Sequence, residues 1–211
     1  MSNQTHKGVR EVLATENFVT EDSHIILPNG SHTRIYLDKS AVVANPLVLD
    51  TLGGFLGHLF AHDSVRIVVS TTGCAEAFGK VVARWLSIIE LVDVRYVSAI
   101  EADDGTFSFT AEDAARITGR RVLIVEDIIT FGNAVQNLLT AVEKVGGHVI
   151  GIGAVWNRGP MGAEGLEVPL RSLINIPAEV YHPEDGPPCP MCAEGIPIAK
   201  DLWAAKTTAE A

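Results

Sequence analysis

Cysteine and basic residues are both scarce in this sequence. There are 3 cysteines in 211 residues, too few and odd in number for the disulfide framework of a small secreted protein, so a reducing compartment is favoured. Lys and Arg number 16 against 26 Asp and Glu, which leaves a formal charge of -10. This balance argues against a nucleic-acid or anionic-membrane surface, because either needs a basic patch. An anionic ligand would have to be bound by local features.

Long hydrophobic runs are also lacking. No apolar run approaches the roughly 20 residues that a membrane-spanning helix needs, and the polar start Met1 to Arg10 has no signal-peptide character. We therefore expect a cytoplasmic protein without a membrane partner. The 47% of residues that are hydrophobic can form a sizeable core, and the length predicts a single domain over residues 1–211.

A buried strand that ends in two carboxylates is the most informative stretch. Residues 122–125 form an unbroken apolar run, as expected for a central parallel strand covered on both faces. Glu126 and Asp127 follow directly and would emerge at the carboxyl edge of the sheet, where ligands of open α/β sheets collect. Adjacent acids there can hold Mg²⁺ or accept hydrogen bonds from sugar hydroxyls. In the simpler alternative, the pair only ends a strand and caps a helix.

The residues after this acidic pair predict a binding site for an anion. Thr130 to Asn133 supply a turn, and Gly132 within it lets the backbone approach a ligand closely. The helix that follows through Ala134 offers unpaired amide groups to a phosphate at its first turn. Together with the two carboxylates, this turn predicts a phosphate-and-metal site.

A second stretch has the same order of strand, turn and helix. Val65 to Val69 is typical of a strand, and Ser70 to Cys74 turns into a helix. The turn could bind another anion, or it could be an ordinary connection between a strand and a helix. Spacing alone leaves both interpretations open.

Two further local signals lie in the first quarter of the chain. Asn29-Gly30 between apolar stretches predicts a β-hairpin whose second strand continues through Tyr36 and Leu37 to Lys39. Asn45-Pro46 predicts the start of a helix, because Pro suits the first helical position.

The tail carries the pattern Cys189-x-x-Cys192, with His182 upstream. The cysteine pair supplies half of the four ligands that a zinc site usually takes, and His182 accompanies it. Half a site is insufficient, so we do not expect zinc at Cys189 and Cys192. A site shared between two chains is the form in which it could be completed.

The stretch from Val122 to Gly132 reads as four apolar residues, two acids, two apolar residues, Thr, any residue and Gly. It resembles the phosphoribosyl-pyrophosphate (PRPP) motif of type I phosphoribosyltransferases. The resemblance implies that Glu126 and Asp127 are catalytic and face the ribose, that the following turn holds the 5′-phosphate, and that the loop after Val69 holds the pyrophosphate. Phe131 and Asn133 depart from the commonest pattern. The PRPP-binding residues so implied are Ser70, Thr71, Thr72, Gly73, Glu126, Asp127, Ile128, Ile129, Thr130, Phe131, Gly132, Asn133 and Ala134.

Both ends of the chain resemble one branch of the orotate phosphoribosyltransferases. The order His-Thr-x-x-Tyr-Leu-Asp-Lys after the hairpin turn and Cys-Pro-x-Cys in the tail recur there, and the resemblance runs from about Ser23 to Lys200. It implies that Arg158 grips the orotate carboxylate, for which a planar guanidinium with two parallel donors is suited. The base-binding residues so implied are Thr130, Arg158, Tyr36, Leu37 and Lys39.

The resemblance also implies a fold, partners and a reaction. The fold is α/β, with a mostly parallel central sheet flanked by helices and a small hood formed by about residues 1–40 and a C-terminal tail of about residues 177–203. The partners are PRPP and orotate or a related base, with Mg²⁺ held mainly through PRPP and no metal ligand from the protein. The implied reaction is transfer of 5-phosphoribose to orotate in pyrimidine nucleotide synthesis, by a homodimer.

One segment departs from the family pattern. Orotate phosphoribosyltransferases carry Lys, Arg and His on a mobile loop that neutralises the departing pyrophosphate, but no Lys, Arg or His lies between Val97 and Ala115 here. A competing hypothesis is therefore a non-catalytic regulatory homologue that binds PRPP or a nucleotide. A third is a phosphoribosyltransferase that uses another base.

Overall fold

The computed structural model describes residues 8–9, 11–13, 18–27, 29–159, 168–182 and 188–202. The chain divides into two compact units. The first contains Met1–Val12 and Lys39–Ile176, and the second contains Leu13–Asp38 and Pro177–Ala211. The expectation that they form one domain with a hood stays a prediction. Among the described residues, no helix is both long and apolar enough to cross a membrane.

Thirteen strands and six helices carry labels in chain order. The strands are β1 (Val19–Thr20), β2 (His24–Ile26), β3 (His32–Thr33), β4 (Tyr36–Leu37), β5 (Ile67–Ser70), β6 (Arg95–Ser98), β7 (Ile100–Glu101), β8 (Phe107–Ser108), β9 (Arg121–Ile129), β10 (His148–Asn157), β11 (Leu170–Asn175), β12 (Val180–Tyr181) and β13 (Ile198–Asp201). The helices are α1 (Lys39–Ala44), α2 (Pro46–His58), α3 (Cys74–Glu90), α4 (Ala111–Ile117), α5 (Asn133–Lys144) and α6 (Pro190–Ala193).

The first unit is built on a five-stranded sheet in the order β11-β10-β9-β5-β6, and every neighbouring pair is parallel. In β9, Val122 and Ile124 belong to the core cluster that contains Val135 and Leu138 of α5. Alternate side chains of a strand point to opposite faces, so the buried residues between them face the other side of the sheet. A strand buried on both faces explains the unbroken apolar run and confirms the predicted α/β fold with a parallel central sheet.

The helices α2 and α3 pack against each other at small residues. A Cβ added at Gly53 would lie 2.3 Å from Val81 Cγ1, so the glycine permits the close approach. The predicted start of α2 is confirmed, since Pro46 is its first residue and the Asn45 side chain accepts a hydrogen bond from Val48 N at 3.3 Å. Such a cap satisfies one of the amide groups that a helix start leaves unpaired.

The second unit is a small sheet in the order β12-β3-β2-β13, with β1 and β4 forming a separate antiparallel pair. The strands β2 and β3 form the predicted hairpin, in which Gly30 takes a φ of 81°. The predicted continuation of its second strand through Tyr36 and Leu37 to Lys39 is wrong, because β3 ends at Thr33, β4 pairs with β1 and Lys39 begins α1. The tail adds β12 antiparallel to β3 and β13 parallel to β2. Segments from the two ends of the chain therefore build one sheet.

Candidate active site

The strand β9 brings two carboxylates to the carboxyl edge of the parallel sheet. Glu126 and Asp127 are only 6% and 5% exposed. The predicted strand end at these acids is wrong, since β9 runs on to Ile129 beside β10. It pairs with β5 only as far as Ile124, so both acids lie beyond that pairing, after the apolar run that fills the sheet centre. Burial of two adjacent acids is costly unless each is hydrogen-bonded, paired with a cation or neutralised. Their contacts therefore decide what the site can bind.

Glu126 is the less satisfied of the two acids. Its Oε2 accepts a hydrogen bond from Thr71 Oγ1 at 3.3 Å, whereas its Oε1 is buried and has no hydrogen-bond partner among the described residues. Burial, and then the negative charge of Asp127, raise the pKa of Glu126 to about 7. This carboxyl thus has an oxygen available to a ligand hydroxyl and titrates near neutral pH.

Asp127 is held by a cation and by the backbone amide of the next residue. Its Oδ2 lies 2.8 Å from Lys39 Nζ, and its Oδ1 accepts from Ile128 N at 2.6 Å. Burial acts to lower the pKa of Lys39, but the charge of Asp127 and its hydrogen bond outweigh burial and raise the pKa. The pair is therefore a charged one, with the Lys39 side chain still 45% exposed. The family resemblance implies that Lys39 binds the base, whereas the structure places its side chain against Asp127.

The turn after β9 has the backbone that an anion site needs. Gly132 is buried and takes a φ of 78°, in the left-handed region that favours glycine. α5 begins at the next residue, Asn133, and has no side-chain cap, so its first amide groups remain available to a ligand. Asn133 and Ala134 are exposed, and Phe131 is 54% exposed. The large side chain of Phe131, which departs from the commonest motif, is therefore accommodated at the surface.

The loop after β5 lies beside this turn, as the parallel pairing of β5 and β9 requires. Thr71 reaches Glu126, whereas Ser70 is buried and its hydroxyl contacts Thr71 O at 2.8 Å and Tyr96 Oη at 2.9 Å. Gly73 takes a φ of 77° and precedes α3, which also lacks a side-chain cap. Thr72 and Gly73 are exposed. Both predicted anion loops therefore open at one edge of the sheet.

Arg158 follows β10 and is next to the turn after β9. Its amide donates to Ile129 O at 2.9 Å, and Gly159 lies against the backbone of Thr130. The guanidinium is buried, lies 5.0 Å from the centre of the Trp156 ring, and has its pKa lowered by burial. The structure thus brings Thr130 and Arg158 together, as the resemblance implies.

The remaining predicted base contacts lie in the second unit. Tyr36 and Leu37 form β4, where Leu37 is buried and Lys200 Nζ is 4.5 Å from the Tyr36 ring centre. Their role at the base stays a prediction.

The segment that lacks basic residues forms a short hairpin. β7 and β8 are antiparallel, and Gly105 O in the turn accepts from Asn137 Nδ2 of α5 at 2.9 Å. Two cations of this unit are paired elsewhere: Lys80 Nζ lies 2.6 Å from Glu76 Oε1, and Arg95 Nε lies 2.8 Å from Asp93 Oδ2. Among the described residues, Lys39 is a cation that lies against the acidic pair, through Asp127.

Comparison with known proteins identifies this architecture. The model of the phosphoribosyl transferase domain family matches residues 38–181. The orotate phosphoribosyltransferase of Thermus thermophilus is 31% identical over 178 residues, which cover 84% of this chain and 91% of the relative. That of Thermotoga petrophila is 29% identical over 192 residues, which cover 91% of this chain and 96% of the relative.

Solved structures agree on the fold. The orotate phosphoribosyltransferase of Mycobacterium tuberculosis, in complex with inorganic phosphate, superposes with a TM-score of 0.62 at 20% identity and covers 82% of this chain and 97% of that chain. The enzyme from Aeropyrum pernix has a TM-score of 0.58 at 16% identity, covering 79% of this chain and 93% of that one. The chain therefore belongs to the phosphoribosyltransferase family, in the branch of the orotate phosphoribosyltransferases.

Proposed function

We propose that this protein transfers 5-phosphoribose from PRPP to orotate, giving orotidine 5′-monophosphate and pyrophosphate. In this step the bond between C1 of ribose and the pyrophosphate oxygen breaks, a bond from C1 to a ring nitrogen of orotate forms, and the proton of that nitrogen is released to solvent or to the departing pyrophosphate. The observation that carries the proposal is the buried pair Glu126 and Asp127 at the edge of the sheet, beside two loops with glycines at positive φ. Family membership supports the same reaction.

PRPP would be held by the carboxyl edge of β5 and β9. The free oxygen of Glu126 can accept a hydrogen bond from a ribose hydroxyl. The start of α5 supplies amide groups to the 5′-phosphate, and the loop of residues 70–73 supplies them to the pyrophosphate. Because the chain is acidic overall, these local donors carry the recognition of an anionic substrate.

The two carboxylates are suited to Mg²⁺ only when the ion is bound to PRPP. Lys39 already occupies Asp127 Oδ2, so direct coordination there would have to displace an ammonium group. Glu126 Oε1 has no hydrogen-bond partner among the described residues and can accept from a ribose hydroxyl or a metal-bound water. When bound, Mg²⁺ supplies positive charge to the oxygens of the pyrophosphate.

Orotate would be oriented by the end of β10. Arg158 can donate two parallel hydrogen bonds to a carboxylate, and its buried position makes such a charge-assisted contact strong. Thr130, next to it, can contribute a hydroxyl. The base would thus lie between the Arg158 segment and the ribose held by Glu126 and Asp127.

Two substitutions should separate the two substrates. Asp127→Ala is expected to weaken PRPP binding, and Arg158→Ala is expected to weaken orotate selectively, each by roughly 10- to 100-fold because a charge-assisted hydrogen bond is lost. The measurement is ultraviolet-monitored consumption of orotate with PRPP and excess Mg²⁺, with KM determined for each substrate. If each variant loses affinity for PRPP and for orotate equally, the proposed roles of Asp127 and Arg158 are wrong.

Lys39 should supply part of the positive charge that the β7–β8 hairpin lacks. Lys39→Met is expected to lower turnover by roughly 10- to 100-fold, because it leaves two adjacent acids without their cation and the departing pyrophosphate without a nearby positive charge. The matched control is Lys80→Met, since Lys80 pairs with Glu76 on the exposed surface of α3. Equal turnover in the two variants would remove Lys39 from the mechanism.

A binding protein without turnover is the second candidate, and the acidic hairpin favours it. Glu101, Asp103 and Asp104 stand in a segment where the family carries cations. This candidate predicts saturable, Mg²⁺-dependent PRPP binding with no consumption of orotate. If the protein instead turns over another base under the same conditions, the PRPP site stands as proposed and orotate is not the substrate.

The assembly and location of the protein are further parts of the proposal. The homodimer is the form that the family resemblance implies, and the cytoplasm is the location that the composition favours. Light scattering of the purified chain tests the dimer directly; a monomeric mass at assay concentration would contradict it.

A further inference from the structure

Four metal-binding side chains meet in the second unit. They are His24, His32, Cys189 and Cys192, and one ligand atom from each lies within 4.8 Å of all the others. We name them the His-Cys cluster. His182, the partner that sequence reasoning gave to the two cysteines, instead contacts Ser31 Oγ through Nδ1 at 2.7 Å.

The local structure explains why these side chains converge. In the hairpin, Ile26 lies opposite His32, so His24 and His32 occupy the same face on a diagonal, with ring centres 4.9 Å apart. Cys189 caps α6, and Pro190 opens it. Cys192 follows three residues after Cys189, so both thiols point to one side of the helical turn.

The distances match a tetrahedral site. His24 Nε2 is 2.8 Å from His32 Nδ1, and Cys192 Sγ is 3.3 Å from His32 Nδ1 and 3.6 Å from His24 Nε2. Cys189 Sγ is 3.9 Å from His24 Nε2. Zinc bonds of roughly 2.0–2.1 Å to nitrogen and 2.3 Å to sulfur place tetrahedral ligands about 3.3–3.8 Å apart. These four distances lie within about half an ångström of that range, and every other pair of ligand atoms in the cluster lies within 4.8 Å.

A backbone contact orients the most buried ligand. His24 is 2% exposed, and its Nδ1 lies 2.8 Å from Ile196 O. A carbonyl only accepts, so Nδ1 carries the proton and Nε2 presents a lone pair to the other three ligand atoms. Ile196 N in turn donates to Met191 O of α6 at 2.9 Å. This is the outer-shell support that metal-bound histidines usually have.

We propose that the His-Cys cluster binds a structural zinc ion. Two thiolates balance the charge of Zn²⁺, and a set of two nitrogens and two sulfurs in tetrahedral geometry suits zinc among the common metals. Four protein ligands leave no open position, so the site is structural and not catalytic. Both cysteines are free thiols, with no disulfide between them.

The ion would join the two ends of the chain. The histidines belong to the β2–β3 hairpin and the cysteines to the tail, whose strands have only 2 to 4 residues. Such a small sheet buries little apolar surface and gains disproportionately from a metal crosslink. Zinc binding should therefore stabilise this unit whatever reaction the protein catalyses.

The test is the metal content of the full chain. We expect one zinc per chain after purification or after refolding with zinc, and a cobalt-substituted protein with the absorption of tetrahedral thiolate coordination. Cys192→Ser and His32→Ala should lower zinc affinity by more than the roughly 10- to 100-fold that loss of an outer-shell partner costs. Cys74→Ser and His182→Ala are the matched controls and should retain the metal.

Two outcomes would overturn the proposal. One is wild-type protein that takes up no stoichiometric zinc and gives no thiolate-to-cobalt band. The other is zinc binding that survives Cys192→Ser or is lost equally in Cys74→Ser. Where a ligand variant does not fold, cobalt titration of the metal-free wild type decides the question, and a chelator should lower its melting temperature.

Discussion

Gly159→Ala is expected to destabilise the protein by about 3 kcal/mol or more and to remove most of its turnover. A Cβ at this position would lie 1.6 Å from Thr130 O and 2.6 Å from Thr130 C. Both are backbone atoms, so no change of side-chain rotamer can relieve the contact. The chain after β10 and the turn after β9 would have to separate by roughly 1.5–2 Å to restore ordinary contact distances.

The same displacement should harm function more than a surface change of equal energetic cost. The amide of Arg158 donates to Ile129 O at 2.9 Å, so this hydrogen bond fixes the position of Arg158 relative to Thr130. A shift of about 1 Å between catalytic groups can cost roughly 100-fold in rate. We therefore expect the surviving folded fraction of Gly159→Ala to lose orotate affinity as well as stability.

The measurement is urea unfolding combined with the orotate assay. Gly8→Ala is the control, because a Cβ there meets nothing within 4 Å. An unfolding midpoint for Gly159→Ala equal to that of the control would contradict the predicted contact between the two strand ends.

Glu126→Gln is expected to stabilise the free protein at pH 8 by about 3 kcal/mol while weakening PRPP binding. The pKa of Glu126 rises from 4.5 to about 7, and each pKa unit corresponds to about 1.4 kcal/mol. Between these two values the folded state holds a proton that the unfolded state has released. The contribution of this group to stability is thus full below about pH 4.5 and is lost as the pH rises to about 7.

The amide keeps the size of the side chain but removes the buried charge and its repulsion with Asp127. The stability difference between Glu126→Gln and wild type should therefore be near zero at pH 4.5, grow toward pH 7 and level off above it. Urea unfolding at a series of pH values measures this curve. Glu143→Gln, at an exposed position of α5, is the matched control and should give a small, flat difference.

The PRPP affinity of the wild type should change with pH in the opposite direction to its stability. A charged Glu126 is the better acceptor for ribose hydroxyls, so PRPP affinity of the wild type should rise through about pH 7. PRPP itself also changes protonation with pH. The pH dependence of PRPP affinity in Glu126→Gln therefore gives the contribution of the ligand alone. Identical pH profiles for the two proteins would exclude Glu126 as the titrating group.

The sequence alone determined the features that depend on neighbouring residues. The apolar run before Glu126 predicted a central parallel strand, and Gly132 predicted a turn with positive φ before a helix. Asn45-Pro46 and Asn29-Gly30 predicted a helix start and a hairpin, and the structure confirms both. Each signal is local, because it reflects the backbone conformation or the burial of a few consecutive residues.

Only the tertiary structure decided which distant residues meet. No periodicity indicates that Lys39 pairs with Asp127, or that Thr71 reaches Glu126, because both contacts depend on the order of strands in the sheet and on helix packing. The His-Cys cluster is the clearest case. Nothing in the sequence marked His24 and His32 as metal ligands, and the cysteine pair by itself is half of a site. The ligands come together because β13 and β12 of the tail pair with β2 and β3, and long-range pairing depends on the packing of the whole unit.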